Sequence, residues 1–188
     1  MYTTSLTLLE RLRQPEPQDA WKRFVHLYHR LLFHWARKAG LQEQDAADVV
    51  QEIFLVLVRK LPEFRYDEHR SFRSWLCTIV RNKLIDRRRR EVVRAGQASA
   101  AALENLPDSE VAGVFDEAEY RRHVLAQALS LLQDEFPSAT WKAFTEHGLN
   151  GRAAKEVAQE LGLSVGAVYS AKFKIVSRLR EEVRDLLA

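Results

Sequence analysis

The chain has 188 residues, 46% of them apolar and 29% charged, enough to bury one large core or two small ones. A net charge of +3 says little about partners, and no run approaches the roughly 18 to 20 apolar residues that cross a bilayer. One cysteine, Cys77, excludes an internal disulfide framework and a Cys-only zinc site. The N-terminus MYTTSLTLLERLRQPEPQ carries charge where a secretory signal needs a long apolar core, so the expected location is the cytoplasm. With only seven glycines and apolar periods that are mostly helical, the expected fold class is all-α.

In chain order, TTSLTLLERLR predicts an extra helix to which no role can be given. Helical period then starts after Asp19, the expected N-cap, and Trp21, Phe24, Val25, Tyr28, Leu31, Leu32 and Trp35 keep one face until Gly40. A second helix is predicted from about Gln44 to Leu61, burying Val49, Val50, Ile53, Phe54, Leu57, Val58 and Leu61, with Pro62 as its stop. After the polar loop EFRYDEHR comes SFRSWLCTIVRNKLIDRRRR, with Ser71 as cap. Phe72, Trp75, Leu76, Ile79, Val80 and Leu84 form its buried face. From Glu91 to about Phe115 the apolar period disappears into an Ala-, Ser- and acid-rich linker. Period resumes at Tyr120, Val124, Ala128, Leu131 and Leu132, then in a short helix after Ser138, and in two more from about Arg152 to Leu161 and from Val165 onward. The expected organisation is two small helical domains, 1–92 and 117–188, joined by a flexible acidic linker at 93–116.

Charge is distributed in blocks. Residues 71–90 carry seven basic side chains against Asp86, whereas 104–119 carry six acids and no base. The run Arg87, Arg88, Arg89, Arg90 repels itself and calls for either solvent screening or a polyanion opposite it.

Two motifs carry chemistry. In KEVAQELGLSVGAVYSAKFK, Ala158, Gly162 and Val168 have the spacing of a helix-turn-helix: a small residue for close helix approach, a glycine for the left-handed turn, a β-branched residue for the core. An ordinary helical hairpin could imitate this spacing. Its second helix would present Val165, Gly166, Tyr169, Ser170, Lys172, Phe173 and Lys174 outward or toward a major groove. In DAADVVQEIFLVLVRKL, Asp45, Asp48 and Glu52 share one side with Gln51 beside them, and Leu55 and Val56 are apolar positions that the core stripe does not need. An acidic first turn suits the helix dipole, which alone accounts for Asp45 and Asp48 but not for Leu55; a mixed acidic and apolar strip reads as a protein docking face. His26 and His29 lie one turn apart without an identifiable third ligand, so no metal, cofactor or catalytic constellation is expected.

Taken together, DAADVVQEIF, FRYDEHRSFRSWLCTIVRNKLIDRRRR and LNGRAAKEVAQELGLSVGAVYSAKFKIVSRLREEV resemble a bacterial sigma factor of the extracytoplasmic-function group, in the sigma-70 family. The resemblance implies that residues 1–92 are sigma region 2, binding the RNA polymerase core and reading and melting the −10 element, and that 117–188 are region 4, reading the −35 element as duplex. It places the polymerase-binding surface, which meets the clamp coiled coil, on Asp45, Asp48, Gln51, Glu52 and Leu55. The −10 surface falls on Phe64, Arg65, Tyr66, Asp67, Trp75, Arg81 and Asn82, with Arg87, Arg88, Arg89 and Arg90 on phosphates. The −35 surface falls on Ser164, Val165, Tyr169, Ser170, Lys172, Lys174 and Arg178. Many members have an arginine where this chain has Ala171. The implied protein is a promoter-specificity subunit without catalysis, a monomer when free. Its partners are promoter DNA, duplex and single-stranded, and core polymerase through clamp and flap, and its regulator an anti-sigma factor or a kinase. A stand-alone helix-turn-helix regulator is the alternative, and for it the acidic strip would be superfluous.

Overall fold

In a computed structural model that describes residues 7–65, 71–94 and 113–187, the described residues form α-helices joined by turns, with no strand among them. The helices are α1 (Leu8–Arg11), α2 (Gln18–Lys38), α3 (Glu43–Lys60), α4 (Phe72–Arg94), α5 (Glu117–Leu132), α6 (Ser138–Phe144), α7 (Ala154–Leu161) and α8 (Val165–Val183). The chain divides into two units, one holding Leu8–Val124 and the described residues from Asp185 onward, the other Leu125–Arg184. The division falls inside α5. Most of the expected linker lies outside the described residues, but α4 runs on to Arg94, and at the linker's far end Val114 is buried.

In the first unit, α2, α3 and α4 interlock their apolar stripes: Phe24, Leu27, Tyr28, Leu31 and Trp35 from α2, Val49, Val50, Ile53 and Leu57 from α3, and Phe72, Leu76, Ile79, Val80 and Leu84 from α4 are all buried. Aromatic rings tie the three together at edge-to-face distances, Phe24 to Phe54 of α3 at 6.4 Å, Phe24 to Phe72 of α4 at 6.0 Å and Tyr28 to Phe72 at 5.7 Å. The N-terminal segment joins this core through Leu8, Leu9 and Leu12. Phe115 meets the Trp35 ring edge-on at 4.8 Å, and its carbonyl accepts from Arg73 Nη2 at 2.7 Å. This fixes the chain entering α5.

Local signals explain the helix ends. Gly40 takes φ +92° after α2, where a side chain would be strained. Ser71 caps α4, its Oγ accepting from the Ser74 N–H at 3.2 Å. Pro62 ends α3 in a 3-10 turn, Leu61–Glu63, rather than abruptly. Three expectations need correction. Asp19 is not the N-cap: α2 begins at Gln18 behind Pro17, and Asp19 lies in the first turn beside Lys22 at 3.0 Å. Val25 and Val58 do not join the core but are 38% and 51% exposed, because each sits at the edge of its helix's apolar stripe.

In the second unit, Ala143 of α6, Ala154, Val157 and Ala158 of α7, and Val168 and Ala171 of α8 form the core, with Leu161 and Leu163 packed against it. A π-helical turn, Thr145–Leu149, follows α6. The helix-turn-helix appears as its spacing predicts. Ala158 is buried where α7 and α8 approach, Gly162 takes φ +65° in the turn, and Val168 is fully buried. Ser164 caps α8 by accepting the Ala167 N–H at 3.1 Å.

Candidate functional site

The acidic strip of α3 and the arginine run of α4, two separate candidates in the sequence, are tied to each other by two groups of ion pairs. Arg87 Nη2 bonds the carboxylate of Asp45. Glu52 receives Arg90 at 3.0 and 3.3 Å and Lys83 Nζ at 3.3 Å. The Arg90 guanidinium beside it, with Lys83, holds the Glu52 carboxyl below its ordinary range against the opposing effect of burial. Arg88 instead donates at 2.7 Å to the Ala39 carbonyl, one of the orphan acceptors at the end of α2. Arg89 is exposed and has no ion pair among the described residues. Three of the four arginines are thus held by the protein itself. Lys83, which the sequence reading left out, belongs to the Glu52 group; its position one helical turn before Arg87 was the available signal.

The remainder of the strip is open. Asp48 and Gln51 are exposed, and Leu55 is 62% exposed beside them. A carboxylate, an amide and an unpartnered leucine along one helical face can grip a surface that offers cations and an apolar pocket.

Around the 3-10 turn, Phe64 is buried, stacked obliquely on Trp75 at 4.8 Å and edge-on to Phe72 at 5.7 Å. Its carbonyl accepts from Arg13 at 2.6 Å and Arg65 at 3.2 Å. Arg13 was missed because it lies in the N-terminal segment, where no motif marks it. Trp75 and Arg81 are half-buried and Asn82 is exposed on the same helix, while Tyr66 and Asp67 lie outside the described residues. The Cys77 thiol, also on α4, is pushed up to about 11 by burial, which makes it a poor nucleophile.

On α8 the residues that pack and the residues that face outward separate cleanly. Val168, Ala171 and Ile175 are buried, whereas Val165, Tyr169, Ser170, Lys172, Phe173 and Lys174 are exposed. Ala171 therefore sits where an arginine could not point outward. The Tyr169 ring lies edge-on to His147 at 5.2 Å. Ser164 is committed to its cap, and Arg178 to Glu135 at 2.9 Å and to buried Glu182 at 2.9 Å. Arg152 braces α7 by bridging Glu146 at 3.1 Å and Glu160 at 2.8 Å. No group of three or more metal-ligating side chains occurs among the described residues, and no helix there is long and apolar enough to cross a membrane.

Residues 24–93 match the family model of sigma-70 region 2. The ECF RNA polymerase sigma factor SigL of Mycobacterium tuberculosis is 31% identical over 160 residues, 83% of this chain and 84% of the relative. The RNA polymerase sigma factor CnrH of Cupriavidus metallidurans is 34% identical over 177 residues, 90% of this chain and 87% of the relative. NccH of Alcaligenes xylosoxydans, also an RNA polymerase sigma factor, is 32% identical over 171 residues, 90% and 88%. The chain belongs to the extracytoplasmic-function RNA polymerase sigma factors of the sigma-70 family. Its role is that of a promoter-specificity subunit in transcription initiation, with RNA polymerase and promoter DNA as partners.

Proposed function

We propose that this sigma factor docks on core polymerase through the exposed strip of α3 and reads its promoter with two separate surfaces. The observation that carries the docking assignment is Leu55, 62% exposed between the acids of α3 and the core it does not join. An exposed leucine flanked by Asp48 and Gln51 has no use in the fold and suits a basic, partly apolar partner such as the clamp coiled coil. Arg65, Trp75, Arg81 and Asn82, with Tyr66 and Asp67 next in sequence, form the −10 surface, where an aromatic ring beside cations captures unstacked bases, while Phe64, expected there too, is buried and serves by backing the Trp75 ring. Arg89 and its neighbours in the run approach backbone phosphates. The outer face of α8, with Tyr169, Ser170, Lys172 and Lys174, enters the −35 major groove. Val165 completes that surface at its edge, while Ser164 and Arg178, expected there too, serve by capping and bracing α8. In this reading the protein acts in the cytoplasm, is monomeric when free, performs no catalysis, and is held in check by an anti-sigma factor or a kinase.

The test is co-purification with core polymerase. Asp48→Arg combined with Leu55→Asp should abolish it while helical content and unfolding midpoint stay near the parent's. Undiminished co-purification would remove α3 as the docking face.

A further inference from the structure

The end of α4 presents cations that the promoter reading needs, yet the free protein holds them against its own carboxylates. Arg87 is bonded to Asp45, and Glu52 lies between Lys83 and Arg90 at 3.0 to 3.3 Å. These same two acids belong to the strip proposed to meet polymerase. A carboxylate cannot keep its full attraction for a cation on its own chain and also for one on a partner, and a guanidinium held this way displaces fewer counterions from DNA.

We infer that Lys83, Arg87 and Arg90 form a phosphate-binding surface masked by Asp45 and Glu52 in the free protein, and that a basic partner engaging those two acids unmasks it. This rests on the docking reading of α3. Three cations face two acids, so the masked cluster carries one net positive charge, and withdrawal of the acids leaves three. Docking and DNA binding are then linked, and the linkage is reciprocal: core binding raises affinity for a polyanion, and a polyanion raises affinity for core. The exchange needs little driving force, because partly exposed ion pairs contribute little net stability.

The experiment uses the full chain and a labelled duplex of random sequence, with affinity measured by anisotropy across a salt series. Asp45→Asn, which uncovers Arg87, should steepen the dependence of log affinity on log salt by about 0.9, one duplex phosphate contact, and, independently, Glu52→Gln, which uncovers Lys83 and Arg90, should steepen it by about twice that. Glu43→Gln is the charge control. Glu43 is exposed on the same helix without an ion pair among the described residues, so its removal changes net charge equally but uncovers no cation. The Glu43 variant should keep the parental slope. If all three variants steepen the slope alike, the effect is net charge alone and the masking is refuted; unchanged slopes in both Glu52→Gln and Asp45→Asn refute it too. This arm contains no polymerase, so its failure leaves the docking assignment standing. In a second arm, with saturating core polymerase, parent and Glu52→Gln should share one slope, because core already holds the acids. A difference in holoenzyme as large as in free protein would overturn the exchange.

Discussion

The hydroxyls of Tyr28 and Tyr120 lie 2.9 Å apart in the core of the first unit, and the Tyr120 hydroxyl donates to the Leu186 carbonyl at 2.8 Å. Tyr28 donates, Tyr120 accepts and donates, and Leu186 ends the chain of bonds. Polar groups of three segments remote in sequence are thereby satisfied where all three residues are buried. Tyr120→Phe removes the middle member and leaves both a buried donor and a buried acceptor unpaired, so it should cost about 1–3 kcal/mol. Tyr28→Phe leaves the bond to Leu186 intact and should cost less, about 0.5–1.5 kcal/mol. Urea unfolding of the two variants decides the order.

Acid should weaken the protein in two stages. Burial lowers the His123 pKa below its ordinary 6.5, outweighing the opposing bond to the Leu27 backbone. The unfolded chain then binds that proton more readily than the folded one, so stability present above pH 6.5 falls as pH drops toward the folded value. Glu52, held down by Arg90 and Lys83, contributes stability that is lost only below its ordinary 4.5. A His123→Gln variant should flatten the first stage and keep the second, as read by unfolding midpoints across pH.

The helix-turn-helix should answer differently at its turn and its core. At Gly162 a Cβ would meet no atom within 4 Å, so Gly162→Ala is charged only with the left-handed conformation, about 1–2 kcal/mol, and Gly162→Asn with less. Ile175 is fully buried, and Ile175→Ala should cost about 2–5 kcal/mol through lost contacts and a cavity. Equal losses at the two sites would contradict the turn geometry.

Arg13 gives the N-terminal segment a purpose. Its bond to the Phe64 carbonyl fixes the chain just ahead of the proposed −10 loop, while Leu8, Leu9 and Leu12 anchor the segment in the core. Arg13→Ala should slow opening of duplex promoters by up to about tenfold, the order of one charged hydrogen bond, and leave pre-melted templates nearly unaffected. Arg13→Lys should recover part of the rate. Equal losses on both templates would mean that Arg13 serves stability alone.

Much of this was legible in the sequence because it is encoded at short range. The spacing of Ala158, Gly162 and Val168 reports a backbone turn and a helix approach within eleven residues, and both are where the spacing puts them. Leu55 could be read as exposed because its helix had a core stripe without it. Val25 and Val58 show the limit of such reading, since a stripe's edge is set by how far the neighbouring helix reaches.

What the order of residues determined was therefore the helices, their buried faces, the turn and the family. What only the tertiary structure decided was the fate of charge. Arg87, Arg88, Arg90 and Lys83 find partners 42, 49, 38 and 31 residues away, across helix pairs whose relative rotation no local period specifies. An arginine run looks the same in sequence whether it faces DNA or a neighbouring helix. The choice is made by packing of the apolar faces, which turns α3 and α4 until Asp45 and Glu52 lie opposite those cations.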